Sequence, residues 1–194
     1  MAATDLVTLA EVKEHLEIIK TDQDSYLATL IERVTGYVEV STRRKLKSRA
    51  YTDQLYDGSG TPELRLKEWP VTAVAAISFL DSQTATTWTA QSLTYYTIDK
   101  ATERTIVFRD GLIFPKDYQN VKLTFTAGYT TVPVELANET LRFLTLLHRL
   151  KDKQLEYVDS VSAMGQTTRY INPMRFLEES PIFGRDGYYS RRDF

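Results

Sequence analysis

Residues 6–16 read Leu6-Val7-Thr8-Leu9-Ala10-Glu11-Val12-Lys13-Glu14-His15-Leu16, and they start a helix that needs a partner. Thr8 followed by Glu11 is a capping box, in which each side chain satisfies a backbone N–H that a helix start leaves open. Val7 and Val12 occupy the two positions of a hydrophobic staple across that cap. Leu9, Val12, Leu16 and Ile19 recur at intervals of three and four, one apolar stripe, which predicts a helix over 9–19. So short a helix is marginal alone and must pack on something.

The next segment supplies a second helix, predicted over 24–46. Leu27, Leu30, Ile31, Val34 and Val38, with Tyr37 beside them, mark its buried face, and Thr21, Asp22 or Asp24 can cap it. Gly36 in its middle costs about 1 kcal/mol relative to Ala. It reads either as a close helix crossing or as a tolerated defect. Arg43, Arg44, Lys45, Lys47 and Arg49 crowd the far end, where the helix dipole favours cations.

From 49 to 131 the pattern becomes β-rich. Asp57-Gly58-Ser59-Gly60 is a turn, 63–67 alternates charged and apolar residues as a half-buried strand does, and Trp69-Pro70 interrupts it. Further strands are predicted at 71–80, 86–89, 95–99, 105–109 and 121–127. Short strands with no helix between them indicate an antiparallel sandwich or barrel.

A third helix is predicted from Pro133, a residue suited to a first helical turn, to about 154. Leu136, Thr140, Leu141, Leu144, Leu147 and His148 lie on one face; Phe143, Leu146 and Leu150 lie on another. This apolar band is broader than one core contact requires, so a partner chain is expected as a second wall. Residues 157–194 show no sustained period yet hold Tyr157, Tyr170, Phe176, Phe183, Tyr188, Tyr189 and Phe194. Disordered tails are poor in aromatics. The segment is either an arm that docks on another surface or a piece that folds back on its own domain. The expected class is α+β: a helical pair (1–48), an inserted antiparallel β-sandwich or barrel-like region (49–132), a long helix packing with the pair (133–156) and an extended C-terminal docking arm (157–194).

Composition excludes several chemistries. The 194 residues, 42% hydrophobic, suffice for a sizeable core without a covalent or metal staple. Cysteine is absent, which removes disulfides, thiolate nucleophiles and Cys-based metal sites, and the two histidines, His15 and His148, cannot make a three-histidine site. Lys and Arg total 24 against 26 Asp and Glu, a net charge of -2, without the basic excess of a protein that grips nucleic acid. No apolar run is long enough to span a bilayer, and residues 1–12 do not read as a secretion signal, so the chain is expected to fold in a cytoplasm.

Catalytic motifs are missing as well: no Walker loop, no dinucleotide-binding glycine pattern and no nucleophile elbow. Gly58-Ser59-Gly60 sits in a turn. His148, on the apolar helix, reads as a core or interface histidine, and Glu178-Glu179 has nothing to desolvate it. The Arg43–Arg49 run reads first as a solvated helix end; contact with DNA phosphates or with an acidic protein are its functional alternatives. No catalytic, metal-binding or cofactor-binding residue is expected. Trp69, Trp88, Tyr95 and Tyr96 raise the alternative of a carbohydrate-binding β module, and an unrecognised carboxylate site that of a hydrolase.

The opening motif, followed by Asp22-Gln23-Asp24, Leu27, Leu30, Ile31, Val38-Glu39 and Thr42-Arg43-Arg44-Lys45-Leu46, resembles the N-terminal signature of the head–tail connector (head-completion adaptor) proteins of tailed bacteriophages. Arg65-Leu66-Lys67-Glu68-Trp69-Pro70-Val71 is similar to their strand–WPV element. Phe125-Thr126-Ala127-Gly128-Tyr129, then Val132-Pro133, is similar to their lead into the final helix. Residues 6–155 carry the likeness; no family motif falls after Tyr157.

The resemblance implies a virion protein with no catalytic residues, in a ring usually of twelve subunits below the portal. It prolongs the DNA channel and docks the next stopper or tail protein. The implied partners are the portal protein, neighbouring copies and that downstream protein, with DNA passing through the lumen untethered and no membrane. On this reading Phe143, Leu146, Leu150, Tyr157, Tyr170, Phe176, Phe183, Tyr188, Tyr189 and Phe194 are the expected interface. Arg43, Arg44, Lys45, Lys47 and Arg49 are the expected contact to an acidic partner or DNA. Residues 157–194 are expected to order only on assembly.

Overall fold

The capping box forms. Thr8 Oγ1 accepts the Glu11 N–H at 3.2 Å and the Glu11 carboxylate accepts the Thr8 N–H at 2.6 Å, with Val7 and Val12 both buried around it. The helix that follows, α1 (Leu9–His15), is shorter than 9–19. Leu16 closes it and Glu17 takes a left-handed φ of 58°, so Ile19 leaves the stripe and stands 93% exposed. This computed structural model describes residues 5–80, 86–151, 160–163, 166–169 and 173–184. The chain divides into two compact units, one of Met1–Arg44 with Thr131–Phe194 and the other of Lys45–Thr130.

In the first unit α2 (Asp24–Thr42) buries Leu27, Leu30, Ile31, Val34 and Val38. None of the three expected caps is used. Gln23 occupies the cap position without a side-chain bond, and Asp24 instead takes the Lys13 ammonium at 2.7 Å, tying α2 to α1. The helix ends at Arg43, in the left-handed region at φ 55°, so the basic run lies beyond the helix rather than on its last turn. Gly36 reads as the tolerated defect: among the described residues a Cβ there meets nothing within 4 Å, so no close crossing is seen. The long helix α3 (Val134–Lys151) follows Pro133, whose carbonyl accepts the Ala137 N–H at 3.0 Å. It packs on α2 and on a short helix, α4 (Pro173–Glu179). At 7 residues α4 is too brief to declare itself by periodicity.

The second unit contains β1 (Arg49–Gly58), β2 (Glu63–Arg65), β3 (Val71–Leu80), β4 (Trp88–Ala90), β5 (Tyr96–Ile98), β6 (Thr105–Phe108) and β7 (Asp117–Ala127). They form two antiparallel sheets, ordered β1-β7-β3-β4 and β2-β6-β5. Both orders are open-ended, so the barrel-like expectation is corrected: no sheet closes on itself. The strand β1 was not predicted. Thr52-Asp53-Gln54 sits at a bulge with Asp53 at φ 51°, and only Tyr56 and Gly58 of the strand are buried, so no alternation marks it. In β7, by contrast, Val121, Leu123, Phe125 and Ala127 all point inward at period two. Side chains of both sheets share one core, where Phe79 of β3 meets Phe108 of β6 at 5.9 Å and Phe114 packs 4.5 Å from Phe108. Among residues 160–169, β8 (Ser160–Ala163) and β9 (Gln166–Arg169) pair as a separate antiparallel hairpin.

Three separate sequence motifs converge within this unit. The Leu46 carbonyl accepts the Tyr129 N–H at 2.8 Å, and the Tyr129 carbonyl accepts the Ser48 N–H at 3.1 Å. The Gly128 N–H donates to the Pro70 carbonyl at 2.9 Å. Lys47 Nζ reaches the Thr130 carbonyl at 3.2 Å. The first and last residues of the unit are thus laced to each other and to the Trp69-Pro70 corner. Gly128 is required twice over: its φ is 101°, and a Cβ would sit 2.6 Å from the Lys47 carbonyl oxygen.

The two glycines therefore predict opposite signs. Gly128→Ala should lower stability by roughly 2–4 kcal/mol, the sum of left-handed strain and a clash with backbone. Gly36→Ala should raise it by about 0.5–1 kcal/mol. Urea unfolding of the two variants beside the parent chain measures both.

Candidate functional site

The expected interface residues centre on the second face of α3. Phe143 is fully buried there, its ring stacked on Phe176 of α4 at 5.6 Å and 11° and met edge-on by Tyr37 at 6.2 Å. Leu177 and Phe183 are buried as well. Polar bonds hold the segment down. The Ser180 hydroxyl donates to Glu139 Oε1 at 3.1 Å and accepts the Ile182 and Phe183 N–H groups, each at 3.2 Å. Ser41 Oγ of α2 donates to the Phe183 carbonyl at 2.9 Å. Glu139, itself buried, keeps its other oxygen on Arg142 at 2.9 Å. The buried Glu139 and Ser180 side chains both have partners, as burial demands.

That packing buries three of the expected interface residues, Phe143, Leu150 and Phe183, within their own chain. It also corrects the expectation that all of 157–194 orders only on assembly, because residues 173–184 fold back onto α2 and α3. Leu146 and Phe176 remain half-buried at the surface. Tyr157, Tyr170, Tyr188, Tyr189 and Phe194 lie outside the described residues.

The basic run does not present five cations together. Arg43 and Lys45 are exposed, Lys47 and Arg49 are half-buried, and Arg44 is buried to 3% exposure, out of reach of any outside partner. His148 is placed as a packed histidine, with Gln23 Oε1 3.5 Å from its ring and Tyr26 beside it. Ser59 Oγ donates to the Glu63 carbonyl at 2.8 Å and holds its turn. Of the aromatic platform, Trp69 is covered by Arg104 at 4.5 Å and Trp88 by Lys122 at 4.7 Å, while the Tyr96 hydroxyl donates to the Val74 carbonyl at 3.1 Å. These rings are engaged singly. Among the described residues no cluster of His, Asp or Glu is placed to hold a metal ion, and no helix is long and apolar enough to cross a membrane.

Sequence reasoning missed the Glu139–Ser180 pair. Its signal was present: Glu139 falls on the stripe of Leu136, Phe143 and Leu147, and an acid on an apolar stripe needs a buried donor. It also missed a second feature of α3. Arg142, Thr145, Leu146 and Arg149 form a surface row that, with His15 of α1 and Phe176 of α4, lines a cavity of about 290 Å³.

A family model described as head completion protein matches residues 5–178. No curated protein sequence matches the chain. Among solved structures, the fold is similar to a chain in the neck of an empty GTA particle computed with C6 symmetry. That pair has TM-score 0.56 and 20% identity over 91% of this chain and 92% of that one. It is also similar to a chain in the virion of a native gene transfer agent (GTA) particle, at TM-score 0.53 and 18% identity over 97% and 92%. At these identities the likeness is one of fold.

If residues 173–184 belong to the core, their truncation is costly. Phe183→Ala should lower stability by about 3–5 kcal/mol, the usual range for deleting a buried ring, and Phe176→Ala by less because that ring is half-buried. Ser180→Ala should cost roughly 1–3 kcal/mol, since it strips a buried carboxylate oxygen and two N–H groups of their partner. Denaturant midpoints at constant slope check all three.

Proposed function

The chain belongs to the head completion protein family, and on that premise we propose that it is a structural protein of the virion neck, an adaptor between head and tail. Copies of it form a ring below the portal, twelve by the family resemblance, that extends the DNA channel and offers a docking surface to the stopper or tail protein. The observation that carries this is the reach of the family match, residues 5–178, which takes in both compact units. Chains of the same fold in a neck and in a virion support the location.

Physical chemistry is consistent with the role. A ring needs heterologous contacts, in which one face of each subunit meets a different face of the next. A channel must let a duplex slide, and a strongly basic lumen holds phosphates through counterion release. A net charge of -2 suits a passage better than a clamp. The carbohydrate alternative loses its flat platform, since two of its rings are already covered by cations.

Two measurements test this. Electron microscopy of particles should place the chain in the neck, and mass measurement with the portal protein should give a discrete ring complex; absence from the neck, or turnover of any small molecule, sinks the reading. Duplex DNA should show no gel shift at physiological salt. A tight, salt-sensitive shift would revive the exposed Arg43 and Lys45 as DNA contacts.

A further inference from the structure

The chain holds the pairs Asp57-Gly58, Asp110-Gly111 and Asp186-Gly187, the last outside the described residues. Asp-Gly is the dipeptide most open to attack on itself. Glycine puts no side chain beside its nitrogen and leaves the backbone free to bring that nitrogen onto the aspartate carboxyl carbon. The structure treats the two described pairs in opposite ways. At the end of β1 the Gly58 N–H donates to Asn120 Oδ1 at 2.8 Å, and Asp57 Oδ1 accepts the Gln119 N–H at 2.8 Å. Gly58 is buried, and a Cβ built on it would run into the Pro115 carbonyl oxygen, so the backbone there has no room to turn. The attacking nitrogen and the carboxyl it would attack are both engaged.

After β6 the arrangement is reversed. The Arg109 carbonyl accepts the Leu112 N–H at 3.2 Å across Asp110 and Gly111, whose φ angles of 59° and 75° make a type I′ turn. Both residues are exposed, and a Cβ on Gly111 would meet nothing within 4 Å. Among the described residues neither the Gly111 N–H nor the Asp110 carboxylate has a hydrogen-bond partner.

We propose that Asp110 is a site of spontaneous isomerisation to isoaspartate, and that the fold protects Asp57 from the same reaction. The Gly111 nitrogen attacks Asp110 Cγ. A C–N bond forms, a carboxyl C–O bond breaks, and that oxygen leaves as water with the amide proton and the carboxyl proton. The product is a cyclic succinimide. Water then adds to the ring carbonyl that was the Asp110 main-chain carbonyl, and its bond to the Gly111 nitrogen breaks as that nitrogen regains a proton. The main chain now runs through Cβ and Cγ, and the former main-chain carbonyl is a free carboxylate. One water leaves and one enters, so the mass is unchanged. Ring closure requires the turn to open, and at Asp110 one hydrogen bond resists. At Asp57 two shorter bonds and a buried strand end resist, which makes the open state at least about tenfold rarer. Isomerised copies carry an extra main-chain atom in the turn that presents the exposed Leu112 and Ile113. This inference is independent of the neck reading.

The test ages the isolated full-length chain for several weeks at neutral pH and physiological temperature, in buffer and in guanidinium chloride. Cleavage after lysine puts Asp57 in peptide 48–67 and Asp110 in peptide 101–116. Protein L-isoaspartate methyltransferase with labelled S-adenosylmethionine then marks isoaspartate, and fragment spectra locate it. In the folded chain 101–116 should carry at least about ten times the label of 48–67. In guanidinium chloride the two should carry comparable amounts. Asp110→Glu, at an exposed position and with a longer side chain that closes a ring far less readily, should leave 101–116 unlabelled. Equal labelling of the two peptides in the folded chain overturns the proposal. So does an unlabelled 101–116 in the folded chain when the denatured chain is labelled there, or label that persists in Asp110→Glu.

Discussion

The Lys47 carbonyl oxygen occupies the place where a side chain on residue 128 would begin, and much of the second unit depends on that approach. Only glycine lets β7 end there, turn with φ 101° and pass its N–H to Pro70 while Tyr129 bonds back to Leu46 and Ser48. Motifs far apart in sequence, Leu46-Lys47-Ser48, the Trp-Pro-Val corner and the Ala-Gly-Tyr turn, become one knot of backbone hydrogen bonds. Their juxtaposition gives a physical reason for each residue type. Glycine is there for close approach, proline for a carbonyl at a fixed corner, and leucine for a fully buried anchor at 46.

The first unit is organised around a different constraint, the need to cover α3. A helix apolar on two faces is unstable in water until both are buried. α2 covers one, and α4 with Phe183 covers most of the other through an aromatic stack and a buried carboxylate bonded to a serine. The chain thus satisfies internally much of what a partner was expected to satisfy. Among the described residues the remainder is small: Leu146 half-buried and Val134 exposed. A surface of that kind suits a reversible, oriented contact more than an obligate interface, which is broad and apolar.

For an adaptor these two arrangements have complementary value. A rigidly laced β unit gives each copy the same shape, which closed assemblies require. A helical unit that buries most of its apolar surface against itself leaves less to associate with wrong surfaces.

Local rules were legible in the residues alone. The Thr8–Glu11 box, the stripe of α2, the alternation of β7, the helix after Pro133 and the family likeness all follow from neighbours within a few positions, because capping and side-chain period are properties of the chain itself. Pairings across long separations were not. That α2 stops at Arg43, that β1 exists despite its polar middle, and that Phe143 and Phe183 are buried within their own chain depend on which surfaces meet. Burial is a relation between distant parts of the chain. An aromatic residue reads the same in sequence whether its own α4 or another protein covers it, and only the packed structure distinguishes the two.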